Sequence, residues 1–492
     1  MTAKFTFLYL VLFFLAPFIY LIFYFNGEVN LDYYELGLAL YNSVIQGLSV
    51  ALISITIGFF GSFFILNLTE YRKRLMQKIC FIPIVLPSLF TILIAFTLIK
   101  PFPMGTLGII IVLSLIHIGY AASLFSQIFE KDIFSFLPVS LVYGFSKFQF
   151  YKIIIIKNKK YVLFLALTIL INTITAFTVP LIVSGGRSRN LEILIYEKMF
   201  TEQNWVSALV LGFIQQLIIG FSLYKLSRVN LNMTGNMQSV ILKDYINKFQ
   251  LIVMNYIFLF YIFIYGCVYV YLFLNSIRSE FIWKVFNYEL FQAFLGSVLF
   301  SLMNLFLFLT VLIKVLYLIW HNKSIKFIDY FNSVSVLLLG ASLFFWGTSQ
   351  YYILNLLALS YFFSVALFSA IYKLTIQAKI HELESQKLTA KIYGLCFFDY
   401  LKLIFFPQMR NSLDFLVSTL FIMSIAEFAL IKISGSTIKT LGTIMASYLS
   451  SYRIEGAFVV SLIMLLLWFF MSLLFSFLLN GGKIDFFKKS RI

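Results

Sequence analysis

The sequence predicts an all-α membrane protein with about twelve transmembrane helices, arranged as two parallel six-helix repeats with both termini in the cytoplasm. The membrane class follows from composition, because 61% of the 492 residues are hydrophobic and only 12% are charged. An ordinary soluble domain is far less apolar. The repeats follow from a match of the chain with itself at one fixed offset.

The apolar runs set the helix count. A helix needs roughly 20 apolar residues to cross a hydrocarbon core about 30 Å thick. In the predicted first half, residues 1–240, the runs are 5–25, 44–67, 79–99, 106–129, 161–184 and 206–226. In the predicted second half, residues 241–492, they are 250–274, 290–318, 328–347, 351–374, 411–434 and 457–479.

The basic residues give the orientation. The net charge is +17, and Lys and Arg gather in alternate loops between the apolar runs. The first loop carries Glu28, Asp32 and Glu35, whereas the next, TEYRKRLMQK, is strongly basic. Basic loops face the cytoplasm, so the charge is explained by membrane topology and no nucleic-acid partner is predicted. The isolated Cys and His residues have no metal-ligand spacing, so neither a metal site nor a cofactor is predicted.

The two halves match at an offset of 250 residues. Tyr143 and Gly144 correspond to Tyr393 and Gly394, and Lys152 corresponds to Lys402. Further matches at this offset are Phe148 with Phe398, Ala176 with Ala426, Ser184 and Gly185 with Ser434 and Gly435, and Leu191 with Leu441. With an even number of spans in each half, the repeats are parallel, an arrangement that places a transport pathway between them.

Each half contains a charged stretch between its fourth and fifth apolar runs. We call residues 130–160 the first polar segment and residues 375–410 the second polar segment. In the second polar segment, apolar residues and charged residues each recur every three to four positions. This spacing predicts an amphipathic helix that ends near Gly394. A short helix, FFDYLKLIFF, is expected to follow and to stop at Pro407. An ordinary interfacial linker would fit the same pattern.

The second polar segment also resembles the coupling motif of binding-protein-dependent ABC importer permeases. That motif has a Glu-Ala-Ala triplet, then Gly, and later an Ile-x-Leu-Pro ending. Ala390, Gly394, Ile404 and Pro407 match it, whereas Leu388, Thr389 and Phe406 depart from it. The first polar segment matches less well, since it keeps Gly144 but has Lys157 in place of the proline.

Two further stretches are similar to fused permeases for thiamine and ferric iron. The first, SGGRSRNLEILIYEKMF, matches them at Gly185, Gly186, Glu192, Ile195 and Tyr196, with Ala208 beyond it. The second resembles the thiamine permeases through Thr440, Leu441 and the triplet Ser451-Tyr452-Arg453.

The resemblance implies a type I importer in the bacterial inner membrane. It implies two copies of an ATP-binding subunit and a periplasmic solute-binding protein as partners. The sequence contains no GxxxxGK[ST] phosphate loop, so ATP hydrolysis is expected on the separate subunit and the chain itself is not predicted to be an enzyme. The residues expected to couple to that subunit are Tyr143, Gly144, Lys152, Ala390, Tyr393, Gly394, Lys402 and Pro407.

Candidate pathway residues are polar groups inside apolar runs. Glu427 lies in the run 411–434, where a carboxylate is costly unless it faces a wet cavity or a partner. Two interpretations of Glu427 are open: it attracts a cationic solute such as thiamine, or its charge is neutralised by Lys432. Asn172, Thr175 and Gln215 are the other candidates, although hydrogen bonding between spans would also explain them.

Three other functions compete with this interpretation. A ferric iron permease would fit the same family resemblance, and a twelve-helix secondary transporter would share the two-half layout. The loop TEYRKRLMQK lacks the glycines and aspartate expected in the major facilitator group. A membrane-embedded enzyme would need clustered catalytic residues at one membrane face, and the sequence offers none.

Overall fold

A computed structural model describes most of the chain. The described residues are 3–22, 28–68, 70–85, 87–186, 188–226, 286–323, 335–346, 351–372, 383–436 and 438–479, with isolated residues within 252–274 and 325–380. All regular elements among them are helices, so the predicted all-α class is confirmed. The predicted span 250–274 falls largely outside these residues.

Several described helices could cross a membrane. Judged by length and composition, six stretches qualify: Tyr33–Leu66, Thr106–Phe129, Tyr288–Trp320, Tyr352–Ser369, Ser412–Ile433 and Ile454–Phe475. Shorter apolar helices cover Ala3–Ile19, Ser88–Leu98 and Trp205–Gly220. The chain is therefore a multi-pass membrane protein, while a total of about twelve spans stays a prediction.

The structure divides into two compact units. The N-terminal unit comprises Glu28–Ile282 and Leu449–Phe458, and the C-terminal unit comprises Met1–Gly27, Trp283–Tyr448 and Val459–Ile492. The N-terminal unit contains α2 (Tyr33–Leu66), α3 (Glu70–Val85), α4 (Ser88–Leu98), α5 (Thr106–Val142), α6 (Lys147–Lys157), α7 (Lys159–Ile174), α8 (Thr178–Val183), α9 (Leu191–Phe200) and α10 (Trp205–Leu226).

The C-terminal unit begins with the first helix of the chain. It contains α1 (Ala3–Ile22), α11 (Tyr288–Trp320), α12 (Val336–Trp346), α13 (Tyr352–Tyr372), α14 (Glu384–Ile392), α15 (Phe397–Tyr400), a π-helical turn (Leu401–Phe405), α16 (Phe406–Ile425), α17 (Ala429–Ile433) and all but the last two residues of α18 (Leu441–Ser450). The final helix, α19 (Ile454–Leu479), starts among residues of the N-terminal unit and continues into the C-terminal unit.

The first helix packs on residues that come more than three hundred positions later. The Tyr361 hydroxyl donates to the Phe13 carbonyl oxygen at 2.7 Å, and the Ser342 hydroxyl donates to the Pro17 carbonyl oxygen at 2.5 Å. Phe14 is fully buried, and its ring centroid lies 5.7 Å from that of Phe368. Thus α1, which the sequence analysis placed in the first half, groups with the second half of the chain.

Three predicted spans are interrupted. The run 79–99 is divided between α3 and α4, with Pro87 at the N-cap of α4. The run 161–184 is divided between α7 and α8, and the run 411–434 between α16 and α17. Hydropathy could not reveal these breaks, because apolar residues continue through them.

Equivalent contacts recur in the two units. The Ser43 hydroxyl accepts the Leu191 N–H at 2.8 Å, and the Ser297 hydroxyl accepts the Leu441 N–H at 2.8 Å. Each contact ties the start of a short helix to a long helix of the same unit, α9 to α2 and α18 to α11. The ion pair Arg189–Glu35 likewise has a counterpart in Lys439–Glu289.

Candidate functional site

Both polar segments contain a helix end with a glycine in the turn. Beyond α5, Gly144 has φ of 63°, and beyond α14, Gly394 has φ of 69°. A side chain at positive φ collides with the backbone, whereas glycine adopts this conformation freely. The shared glycine is therefore explained by backbone geometry at both places.

The hydrogen bonds around these glycines are the same. Phe145 donates its N–H to the Ser140 carbonyl oxygen at 3.0 Å, and Leu395 donates to the Ala390 carbonyl oxygen at 3.0 Å. This is the Schellman motif, in which the residue after the glycine reaches back to the last helical turn. Ser140 and Ala390 are both buried, so each turn rests on a small side chain.

The helix that follows each turn is capped differently. Ser146 and Gln149 form a reciprocal capping box at the start of α6. At the corresponding position before α15, Cys396 makes no side-chain bond to the helix backbone. Its thiol instead donates to Asp399 Oδ2 at 2.9 Å. The capping box was missed in the sequence analysis, although the spacing Ser-x-x-Gln is its signature.

Large apolar side chains are exposed at the two turns. Val142 and Ile392 are each 83% exposed, and Tyr143 and Tyr393 are 73% and 79% exposed. Lys152 and Lys402, one helix later, are exposed as well. Each turn thus exposes an aliphatic residue and a tyrosine, and the helix that follows exposes a lysine.

The expected helix stop at Pro407 is wrong. The chain stays helical from Phe397 to Ile425, and Pro407 lies in the first turn of α16. A π-helical turn immediately precedes it, with the Phe406 N–H donating to the Leu401 carbonyl oxygen. Proline cannot donate the next N–H, and a π-turn accommodates such an interruption without ending the helix.

The first polar segment has its own break one position beyond Lys157. Buried Asn158 separates α6 from α7, and its side-chain amide donates to the Ile154 carbonyl oxygen at 3.0 Å. This asparagine occupies the position that corresponds to Gln408, next to Pro407. It was missed in the sequence analysis because an asparagine among lysines reads as a solvated loop.

The second polar segment is fastened to the end of α11. The ammonium group of Lys387, on α14, donates to the Ile319 carbonyl oxygen at 3.1 Å and to Asn322 Oδ1 at 2.8 Å. The Trp320 ring lies 4.9 Å from that of Tyr400, between ring centroids, and 5.2 Å from the Lys391 ammonium. Burial, and then the charge of Lys391, lower the pKa of Lys387 below its usual 10.5.

The first polar segment is attached by aromatic contacts instead. The ring of Phe63, near the end of α2, lies 5.0 Å from that of Tyr151 on α6. It also stacks on Phe129 of α5 at 6.1 Å. These contacts are apolar, whereas the second polar segment adds a charged hydrogen-bond donor.

Glu427 lies in the break between α16 and α17. Its carboxylate accepts the Leu430 N–H at 2.7 Å, so it satisfies one of the backbone donors at the start of α17. The side chain is partly exposed. Among the described contacts it forms no ion pair with Lys432, and the sequence-based alternative of neutralisation by that residue has no geometric support.

The other candidate residues lie in the N-terminal unit. Gln215 is fully buried, and its amide donates to Glu192 Oε1 at 2.8 Å and to the Ile174 carbonyl oxygen at 3.3 Å. It therefore adjoins the end of α7, where the Thr175 hydroxyl donates to the Ile171 carbonyl oxygen. Asn172 is half-buried on the same turn. Glu192, also fully buried, was not among the predicted pathway residues.

Comparisons with known proteins add no identification. No protein-family model matches the chain, and neither a curated protein nor a solved structure matches it.

Proposed function

We propose that the chain is the transmembrane permease subunit of an ATP-driven ABC importer. A pair of ATP-binding subunits would dock on the first and second polar segments, and a periplasmic binding protein would deliver the solute. Closure of the ATP-binding pair would then move both segments and switch the permease between inward-open and outward-open states.

The observation that carries this proposal is the pair of equivalent turns 250 residues apart. Each has a glycine at positive φ, a Schellman motif on a small buried residue, and an exposed aliphatic–tyrosine pair. A chain that engages two copies of one partner needs two equivalent surfaces. The recurring Ser43–Leu191 and Ser297–Leu441 contacts support a repeat of this kind.

The proposed solute is a small cation, thiamine or a relative of it, with ferric iron as the alternative. The carboxyl groups of the fully buried Glu192 and the partly exposed Glu427 are the acidic side chains that we assign to the attraction of the cation. Negative charge in a low-dielectric environment attracts a cation more strongly than it would in water.

Co-purification tests the proposal. The full chain is isolated from its own membrane in mild detergent, and associated proteins are examined for ATP hydrolysis. We expect an ATP-binding subunit at a ratio of two to one, with activity stimulated by a binding protein loaded with its solute. Isolation of the chain without any ATPase, under conditions in which it stays folded, would contradict the proposal.

Substitution of Gly394 provides a sharper test. Gly394→Val forces a side chain into positive φ, at a cost of about 1–2 kcal/mol, although a Cβ there would touch nothing within 4 Å. We expect uptake to fall while basal ATP hydrolysis continues. Gly394→Asn is the matched control, because asparagine tolerates this conformation. Equal uptake by the valine and asparagine variants would remove the turn from the coupling surface.

A further inference from the structure

We infer that Lys387 is a positioning residue, which makes the second polar segment and α11 move as one piece. The inference rests on the proposed function, since it concerns how motion at the second polar segment reaches the membrane. It adds a residue that the coupling motif does not contain.

The end of α11 is built to receive this lysine. Asn322 has φ of 57° and donates its N–H to the Ile319 carbonyl oxygen, while the Lys323 N–H donates to the Leu318 carbonyl oxygen. This Schellman motif fixes the backbone of Asn322, and so the direction in which its side chain leaves the helix end. Lys387 brings a positive charge to the negative end of the helix dipole, where cations are stabilising.

Lys387 is shielded from water, whereas its partner Asn322 is not. It is 8% exposed, whereas Asn322 is exposed. Lysine at a helix surface ordinarily extends its ammonium group into solvent. Here the side chain instead spans from one helix to another and donates two hydrogen bonds across the gap.

The first polar segment has no lysine at the equivalent position. The residue 250 positions earlier is Leu137, and this segment contacts α2 through the aromatic rings of Phe63 and Tyr151. Apolar contacts permit sliding, because they have little directionality. Two hydrogen bonds from one ammonium group fix both the distance and the direction between α14 and α11. A displacement of α14 is therefore passed to α11 with little relative movement of the two helices.

We expect removal of the Lys387 ammonium group to leave the thermal stability of the chain nearly unchanged. The Ile319 carbonyl oxygen keeps the N–H of Asn322, and Asn322 is an exposed residue whose side chain can bond to water instead. The desolvation cost of the buried charge is also relieved. If Lys387 contributed to stability alone, its replacement would therefore change neither the amide exchange of residues 384–393 nor the uptake per ATP.

The test uses Lys387→Met in the full chain, reconstituted in sealed proteoliposomes, so that uptake into the lumen can be measured. Lys387→Arg keeps the donors, and Asn322→Gly removes one acceptor while retaining positive φ. Lys323→Met, at an exposed lysine on the same turn, is the matched control. The readouts are thermal stability, amide hydrogen exchange of residues 384–393, and solute uptake per ATP hydrolysed with the co-purified ATPase.

We expect faster exchange of residues 384–393 in Lys387→Met and Asn322→Gly, with thermal stability close to that of the wild type. Uptake per ATP should fall about fivefold or more, as for a coupling free energy of about 1 kcal/mol. Lys387→Arg should restore both values. Unchanged exchange or unchanged uptake per ATP in Lys387→Met would overturn the inference. If the wild type brings no ATPase, the proposed function fails, and hydrogen exchange alone decides whether Lys387 fastens the segment.

Discussion

Glu427 illustrates how a carboxylate is held within an apolar stretch. Its stretch is interrupted at residues 426–428, which frees backbone N–H groups that would otherwise lie inside a continuous helix. One of them, from Leu430, donates to the carboxylate at 2.7 Å. The break thus supplies a hydrogen-bond partner that a span unbroken from 411 to 434 could not offer.

Substitution of Glu427 separates charge from hydrogen bonding. Glu427→Gln retains a side-chain oxygen for the Leu430 N–H but removes the negative charge. We expect uptake of a cationic solute to weaken about tenfold, which corresponds to about 1.4 kcal/mol, without loss of thermal stability. Glu427→Ala, which loses the acceptor too, should also be less stable. Wild-type uptake of the cation by the glutamine variant would exclude Glu427 from the pathway.

At the scale of helices, the two polar segments contain the same type of glycine turn but differ in how the next helix is capped. Ser146 caps α6 through its side chain, whereas Cys396 does not cap α15. A serine N-cap stabilises a helix by about 1 kcal/mol relative to residues that cannot accept the bond. The helix after the glycine turn is therefore better capped in the first polar segment, where it is α6, than in the second, where it is α15.

The caps predict opposite effects of two substitutions. Ser146→Ala should destabilise α6 by about 1 kcal/mol, and Cys396→Ser should stabilise α15 by about 0.5–1 kcal/mol. Amide exchange at the first turn of each helix measures both effects within one chain. If Cys396→Ser accelerates exchange at residues 397–400, the assigned N-cap position is wrong.

The sequence predicted these elements better than their ends. Glycine in a turn and proline near a helix start have strong backbone preferences, so the turn at Gly394 was found. The effect of Pro407 was not, because whether proline stops a helix or is absorbed by a π-turn depends on neighbouring packing. The contact of Lys387 with Ile319 and Asn322 joins residues more than 60 positions apart. Local periodicity contains no signal for such a pairing.

At the scale of the whole molecule, α1 is part of the core of the C-terminal unit. The Lys314 ammonium lies 2.9 Å from the centroid of the Tyr9 ring, in addition to the hydrogen bonds made to Phe13 and Pro17. Hydropathy identified α1 as a helix but could not reveal its partners, because every apolar run offers a similar surface. Side-chain shape and a few polar contacts decide between them.

Loss of packing at Phe14 should therefore destabilise the C-terminal unit. Phe14→Ala leaves a cavity against Phe368 and is expected to cost about 2 kcal/mol or more. Limited proteolysis should show earlier cleavage within residues 283–448 than within 28–226. Phe5→Ala is the matched control, because Phe5 lies on the same helix and is 65% exposed. Equal sensitivity of the two variants would contradict the assignment of α1 to this unit.

The hydrogen bond between Tyr361 and Phe13 spans 348 residues of chain. At translation rates of about 5–20 residues per second, the hydroxyl donor emerges roughly 20–70 s after its acceptor. During that interval α1 lacks its final neighbours, while the helices of the N-terminal unit are synthesised. The helix that is synthesised first is thus among the last to find its packing partners. The core of the C-terminal unit is complete only after residues 342–368 have been synthesised and have packed against α1.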